Sequence, residues 1–171
     1  MFGKRILMAK AGAEGSRKRT VKEREKYIMS LVKQMTLDEK IGMIHGAGLF
    51  RTAGVPRLGI PELHMSDGPM GVRQEFVDND WKNVYDSDDT VTYLPSNSAI
   101  AATWNPKRAK ECGEVLGAEA RGRGKDVILA PGINIKRTQL CGRNFEYMSE
   151  DPYLVSEMTV PLIKGIQKAD V

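Results

Sequence analysis

Two apolar strand candidates, each followed by a polar loop and then by a helical pattern, constrain this chain more than any other feature. The first is Leu58-Gly59-Ile60-Pro61-Glu62-Leu63-His64, which runs into a tight turn at Met65–Arg73. The second is the wholly apolar Val127-Ile128-Leu129-Ala130, ahead of a second turn at Gly142–Glu146. Between them Asn105-Pro106 opens a helix, since Asn caps well and Pro suits the first helical position. Ala109, Cys112, Gly113, Leu116, Gly117 and Ala120 then share one face, on which the two glycines permit close approach to a sheet. A last helix starts near Ser149–Pro152 and carries Val155, Met158, Leu162, Ile163 and Ile166, with a kink or break predicted at Pro161. This order is the rhythm of an α/β protein with a parallel sheet, and by itself it does not separate a barrel from an open sheet.

Both turns carry the same chemistry. In Met65-Ser66-Asp67-Gly68-Pro69-Met70-Gly71-Val72-Arg73, a carboxylate and a guanidinium flank two glycines and a proline, so they project from backbone with few choices. In Cys141-Gly142-Arg143-Asn144-Phe145-Glu146 an arginine and a carboxylate again stand beside a glycine. Such pairs can grip a polyhydroxylated ligand. The competing readings are an Asx turn for Asp67 and surface ion pairs for Arg73 and Arg143.

At these residues the chain resembles the N-terminal part of glycoside hydrolase family 3 enzymes of the β-glucosidase and β-xylosidase kind. The resemblance rests on Leu37-Asp38-Glu39-Lys40-Ile41, Arg57-Leu58-Gly59-Ile60-Pro61, Ser66-Asp67-Gly68-Pro69, Ala102-Thr103-Trp104 and Gly142-Arg143-Asn144-Phe145-Glu146-Tyr147, in the family's order. It implies a partial (β/α)8 TIM-type barrel, roughly the first two strand-helix units with preceding helices, over residues 17–171. There the ligand sits at the C-terminal ends of the strands. It implies substrate binding by Asp67, Arg73, Arg143 and Glu146, Asp67 accepting from sugar hydroxyls and Glu146 holding an arginine. It also implies that neither the nucleophile nor the acid/base occurs in this chain. The expected partners are a β-glucoside or β-xyloside and the missing C-terminal part of the barrel or a second polypeptide, with no cofactor.

The remaining sequence excludes more than it adds. Residues 1–16 read as a flexible leader. An amphipathic helix follows over Arg17–Met35 on Ile28, Leu31, Val32 and Met35. Thr36 and Glu39 then make a capping box for a helix with Leu37, Ile41 and Ile44 on its buried side, stopped by Gly46. The 171 residues are 41% hydrophobic and 28% charged, which suits a globular domain. The net charge of +4 comes largely from Arg17-Lys18-Arg19 and nearby lysines, without the aromatic interleaving of a nucleic-acid binder. No apolar run spans a bilayer and none resembles a signal-peptide core, so the expected location is cytoplasmic. Cys112 and Cys141 read as free thiols, and His45 and His64 as packing or helix-end residues. The acidic interval Gln74–Thr90 lacks the glycine and final glutamate of an EF-hand, so no metal is expected. Trp104, ahead of a helix, is assigned to core packing over sugar stacking.

Overall fold

The structure, a computed structural model, describes residues 20–77, 80–82 and 90–171. In chain order its elements are α1 (Val21–Gln34), α2 (Leu37–Met43), β1 (Gly46–Gly48), β2 (Arg51–Thr52), β3 (Met65–Asp67), α3 (Asn97–Ala102), α4 (Pro106–Gly122), β4 (Val127–Leu129) and α5 (Pro152–Gln167). Single 3₁₀ turns occur at Pro56–Leu58 and Asn144–Glu146. The predicted leader, Arg17-Lys18-Arg19, and Asp78, Asp86, Asp88 and Asp89 of the acidic interval lie outside the described residues. The chain divides into two compact units, one built from α1, α2 and residues 53–62, the other from residues 47–52 and 63–171.

In the first unit, both helices start with the same device. The hydroxyls of Thr20 and Thr36 accept the N–H of the glutamate three residues on, and Glu23 and Glu39 accept the threonine N–H in return. The Thr36 box is the one predicted. The buried side is not: Leu37 and Ile44 are 72% and 85% exposed, and Ile41 is exposed as well. Helical spacing identifies an apolar stripe but not whether another surface covers it. α2 ends at Met43, with Ile44 rather than Gly46 as its cap.

Among the described residues, the same unit holds one strongly shifted acid. Arg57 donates through Nε and Nη2 to both oxygens of Glu39, each at 2.6 Å, and Nη2 also reaches the Gln34 carbonyl at 2.7 Å. This fork, backed by the Thr36 N–H, lowers the Glu39 carboxyl from 4.5 to about 2. A lowered acid stabilises the fold above its unfolded value, and that contribution is lost as pH falls from about 4.5 through about 2. Helical circular dichroism between pH 5 and pH 2 should therefore decline in the parent protein, and Glu39→Gln should remove that component of the pH dependence. An identical acid profile in both would show that the fork contributes nothing.

In the second unit β3 and β4 are parallel neighbours in the register Met65↔Val127, Ser66↔Ile128 and Asp67↔Leu129, so the predicted parallel pairing is present. The first strand sits later than predicted. Across Leu58–His64 the chain makes the end of a 3₁₀ turn and then Gly59 at φ +68°, and Pro61 has no N–H to give a ladder. Regular strand resumes only at Met65. There the Met65 N–H donates to Phe50 O at 2.8 Å, while Arg51 and His64 form an antiparallel bridge.

The core of this unit lies under the sheet and between helices, and includes Val72, Ile100, Leu116, Ile128, Met158 and Leu162. α4 begins with the predicted Asn105 cap and Pro106, and it buries Ala109, Gly113, Leu116, Gly117 and Ala120. The partner of that face differs from expectation. Gly113 and Gly117 approach the backbone of α5 at Leu162 and Ile166, not a sheet. α5 is capped by Asp151 and runs unbroken through Pro161 to Gln167. An interior proline costs about 3 kcal/mol, whereas burying side chains such as Met158 and Leu162 returns about 1.5–3 kcal/mol each. Packing on α4 therefore holds the helix together. Trp104 is corrected too: it has φ +52° and is 72% exposed, outside the core to which the sequence assigns it.

Candidate functional site

Asp67 is the last residue of β3, at the C-terminal edge of the parallel pair. The turn beyond it can be made only by glycine at position 68, where φ is +131° and a Cβ would lie 1.8 Å from Gly71 O. That tight reversal returns the chain so that the Arg73 N–H donates to Asp67 O at 3.2 Å and to Ser66 Oγ at 3.1 Å. The Arg73 side chain then donates through Nη1 to Asp67 Oδ2 at 3.1 Å, and Asp67 Oδ1 accepts the Gly68 N–H at 2.9 Å. The turn reading of Asp67 is therefore present, and the geometry leaves its carboxylate open to a ligand. Its carboxylate closes a turn, yet the side chain stays 43% exposed, and each oxygen has a further lone pair for a ligand.

Arg143 stands at the start of the 3₁₀ turn that follows the β4 loop, and its Nε donates to Glu146 Oε1. Glu146 is buried, and a buried carboxylate requires such a partner. The bond to Glu146 and the glutamate's charge raise the Arg143 guanidinium above its ordinary value, followed by Tyr147 and by the Asp67 carboxylate. Asp67 makes the smallest of these contributions.

Three supporting residues were not legible in the sequence. Fully buried Asn97 donates through Nδ2 to Glu146 O at 2.8 Å, and Ser98 Oγ donates to Tyr147 O at 2.8 Å. Lys136 Nζ reaches Ser98 Oγ at 2.6 Å. The first turn of α3 therefore props the backbone of the Arg143 turn. The available signal was Ser96, whose side chain caps α3, but six residues are too few for periodicity to declare a helix.

Arg73 has a second set of neighbours. Its guanidinium carbon lies 4.9 Å from the Phe76 ring centroid, 5.0 Å from Trp81 and 5.9 Å from Phe50. Trp81 meets the edges of both phenylalanines, with centroids 5.4 Å from Phe76 and 6.0 Å from Phe50.

Cys112 and Cys141 are free thiols, and burial pushes Cys112 up, which keeps it protonated. The His64 N–H donates to Asp126 Oδ2 at 2.9 Å, and His45 Nδ1 lies 2.8 Å from Gly46 O. Among the described residues no cluster of three or more His, Cys, Asp or Glu is placed to hold a metal, and no helix is long and apolar enough to cross a membrane.

Residues 62–171, which contain both turns, match the model of the glycosyl hydrolase family 3 N terminal domain. The chain belongs to glycosyl hydrolase family 3. It is 51% identical over 147 residues to beta-glucosidase BoGH3A of Bacteroides ovatus, covering 86% of this chain and 20% of that protein. It is 36% identical over 140 residues to an exo-alpha-(1->6)-L-arabinopyranosidase of Bifidobacterium longum, covering 82% of this chain and 18% of that one. The structure of beta-glucosidase 3B from Thermotoga neapolitana in complex with glucose superposes with a TM-score of 0.72 at 38% identity, over 83% of this chain and 21% of that one. The family's N-terminal domain is an α/β fold, in keeping with the helices and few parallel strands seen here. The chain spans about a fifth of the length of these relatives.

Proposed function

We propose that this chain carries the sugar-binding part of a retaining β-glycosidase of the β-glucosidase type, acting on terminal non-reducing β-D-glucosyl or β-D-xylosyl residues. Residues 17–171 then correspond to the first two strand-helix units of a (β/α)8 barrel, preceded by helices. The support is an arginine-carboxylate pair at the end of β3 and a second in the 3₁₀ turn beyond the loop that follows β4, its parallel neighbour, with the Asp67 charge among those that act on Arg143. Asp67 accepts hydrogen bonds from glycone hydroxyls, and Arg143 donates to the sugar. Arg73 orients Asp67, and Glu146 fixes Arg143. A charged acceptor meeting hydroxyl donors in a partly dry mouth makes strong, directional bonds.

Retention requires two carboxyl groups roughly 5 Å apart, one as nucleophile and one as acid and base. The family resemblance assigns the nucleophile to an aspartate in a Ser-Asp-Trp-like segment, and no Ser-Asp-Trp occurs in these 171 residues. In this reading the nucleophile and the acid/base are both supplied by polypeptide outside these 171 residues. The purified chain is expected to bind glucose without hydrolysing nitrophenyl β-glucoside or β-xyloside. Turnover that disappears in Asp67→Ala would overturn the assignment of the catalytic groups elsewhere.

A second reading, a non-catalytic sugar-binding or pairing fragment completed by another polypeptide, is favoured by the apolar residues around β4. Leu129 is 47% exposed and Leu140 is 95% exposed, and Ile133 is exposed between them. Such a surface drives association. Sedimentation showing a cooperative, well-folded monomer at high concentration would count against it.

A further inference from the structure

The Asp67 and Arg73 side chains are 43% and 38% exposed, and an ion pair so exposed is weak on its own. Water and salt screen the attraction, and holding two flexible side chains in one geometry costs rotamer freedom. A sugar-binding carboxylate nevertheless has to be held still. What surrounds the arginine answers that need. A guanidinium is planar, with its N–H donors directed outward in the plane and its faces free for stacking. Here Phe76 and Trp81 lie at 4.9 and 5.0 Å, with Phe50 further out at 5.9 Å, while Nη1 extends to Asp67.

The rings touch one another, and the backbone that carries them is tied locally, although Trp81 is 59% exposed. Phe50 is tied to the start of β3, because its carbonyl accepts the Met65 N–H at 2.8 Å. Trp81 bridges the two phenylalanines edge to face. Its segment is folded back by Val77 N–H to Lys82 O at 2.8 Å and Asp80 N–H to Val77 O at 3.0 Å.

We propose that Phe50, Phe76 and Trp81 form an aromatic cage whose role is to position the sugar-binding carboxylate: they hold the Arg73 guanidinium, and Arg73 holds Asp67. The proposal rests on the reading of Asp67 as the sugar acceptor. It makes all three rings positioning residues, and gives residues on both sides of β3 in the chain a part in ligand affinity without sugar contact. It also assigns Arg73 to orienting Asp67 rather than donating to the sugar.

The test has two readouts on the 171-residue chain. The first follows rotation about the Arg73 Nε–Cζ bond by side-chain nitrogen NMR without sugar. Separate signals for the two Nη groups are expected in the parent and in Trp81→Phe, and merged signals in Trp81→Leu. The second is D-glucose affinity by calorimetry. Trp81→Leu should weaken it roughly three- to fivefold, Trp81→Phe should restore most of the loss, and Trp81→Leu should add nothing once Arg73→Met is present. Merged Nη signals in the parent, or the same signals in parent and Trp81→Leu, would overturn the cage. An equal loss with and without Arg73 would overturn action through Arg73 and assign Trp81 to the sugar or to the fold. If the parent binds no glucose while the Nη signals behave as expected, the sugar-acceptor reading of Asp67 fails, and the positioning role falls with it although the cage stands.

Discussion

Asp67→Asn is expected to weaken D-glucose binding by about 10- to 100-fold while leaving the melting temperature within a few degrees of the parent. The size follows from the charge removed. Hydrogen bonds to an ionised acceptor contribute about 1.5–3 kcal/mol, and each 1.4 kcal/mol is a factor of ten in affinity. The choice of asparagine separates the turn role seen in the structure from the proposed role as sugar acceptor. The Asn amide oxygen can still accept the Gly68 N–H that Oδ1 accepts at 2.9 Å, so the turn survives, while its NH2 group faces the Arg73 donor and can no longer accept from a sugar hydroxyl. Asp67→Ala removes both roles and should lose stability as well as affinity. Calorimetric titration with glucose and thermal melting of both variants check this. An Asn variant with parental affinity would make Asp67 a turn residue only.

What could be read from the sequence was local. The Thr36 capping box, the Asn105-Pro106 helix start and the buried face from Ala109 to Ala120 each depend on residues within a few positions of one another, and all three are present. The arginine-carboxylate pairs were legible for the same reason, six and three residues apart. What was missed depends on contacts distant along the chain. Spacing showed that α4 has a face of small residues but could not name α5 as the surface against it. It showed a stripe on α2 without telling that Leu37 and Ile44 stay in water. Phe50, Phe76 and Trp81 meet at Arg73 only because the Phe50 backbone pairs with Met65 and the chain after Phe76 folds back. Asn97 and Lys136 likewise meet the Arg143 turn across 49 and, through Ser98, 38 positions of sequence.

The largest effect on stability is expected at the crossing of α4 and α5. Gly113→Ala should destabilise the protein by about 3 kcal/mol, lowering the urea midpoint by roughly 1–2 M with little change in slope. Two effects oppose each other at this position. Alanine is the better helix former by about 1 kcal/mol, which alone would make the variant more stable. A Cβ on residue 113, however, would lie 2.1 Å from Leu162 O and 2.9 Å from Leu162 C, and backbone cannot rotate away as a side chain can. The contact is reciprocal. A Cβ on Gly165 would lie 2.4 Å from Lys110 O and 2.8 Å from Glu114 N, so Gly165→Ala should cost a similar amount. Gly122→Ala is the control, since a Cβ there meets nothing within 4 Å and propensity acts unopposed. It should be neutral or stabilising by up to about 1 kcal/mol. Because α5 packs on α4 and α4 leads directly into β4, separating these helices should also loosen the strand ahead of the Arg143 turn. Glucose affinity is therefore expected to fall with stability in Gly113→Ala but not in Gly122→Ala. Stability in Gly113→Ala equal to that in Gly122→Ala would mean that the helices do not cross at backbone contact.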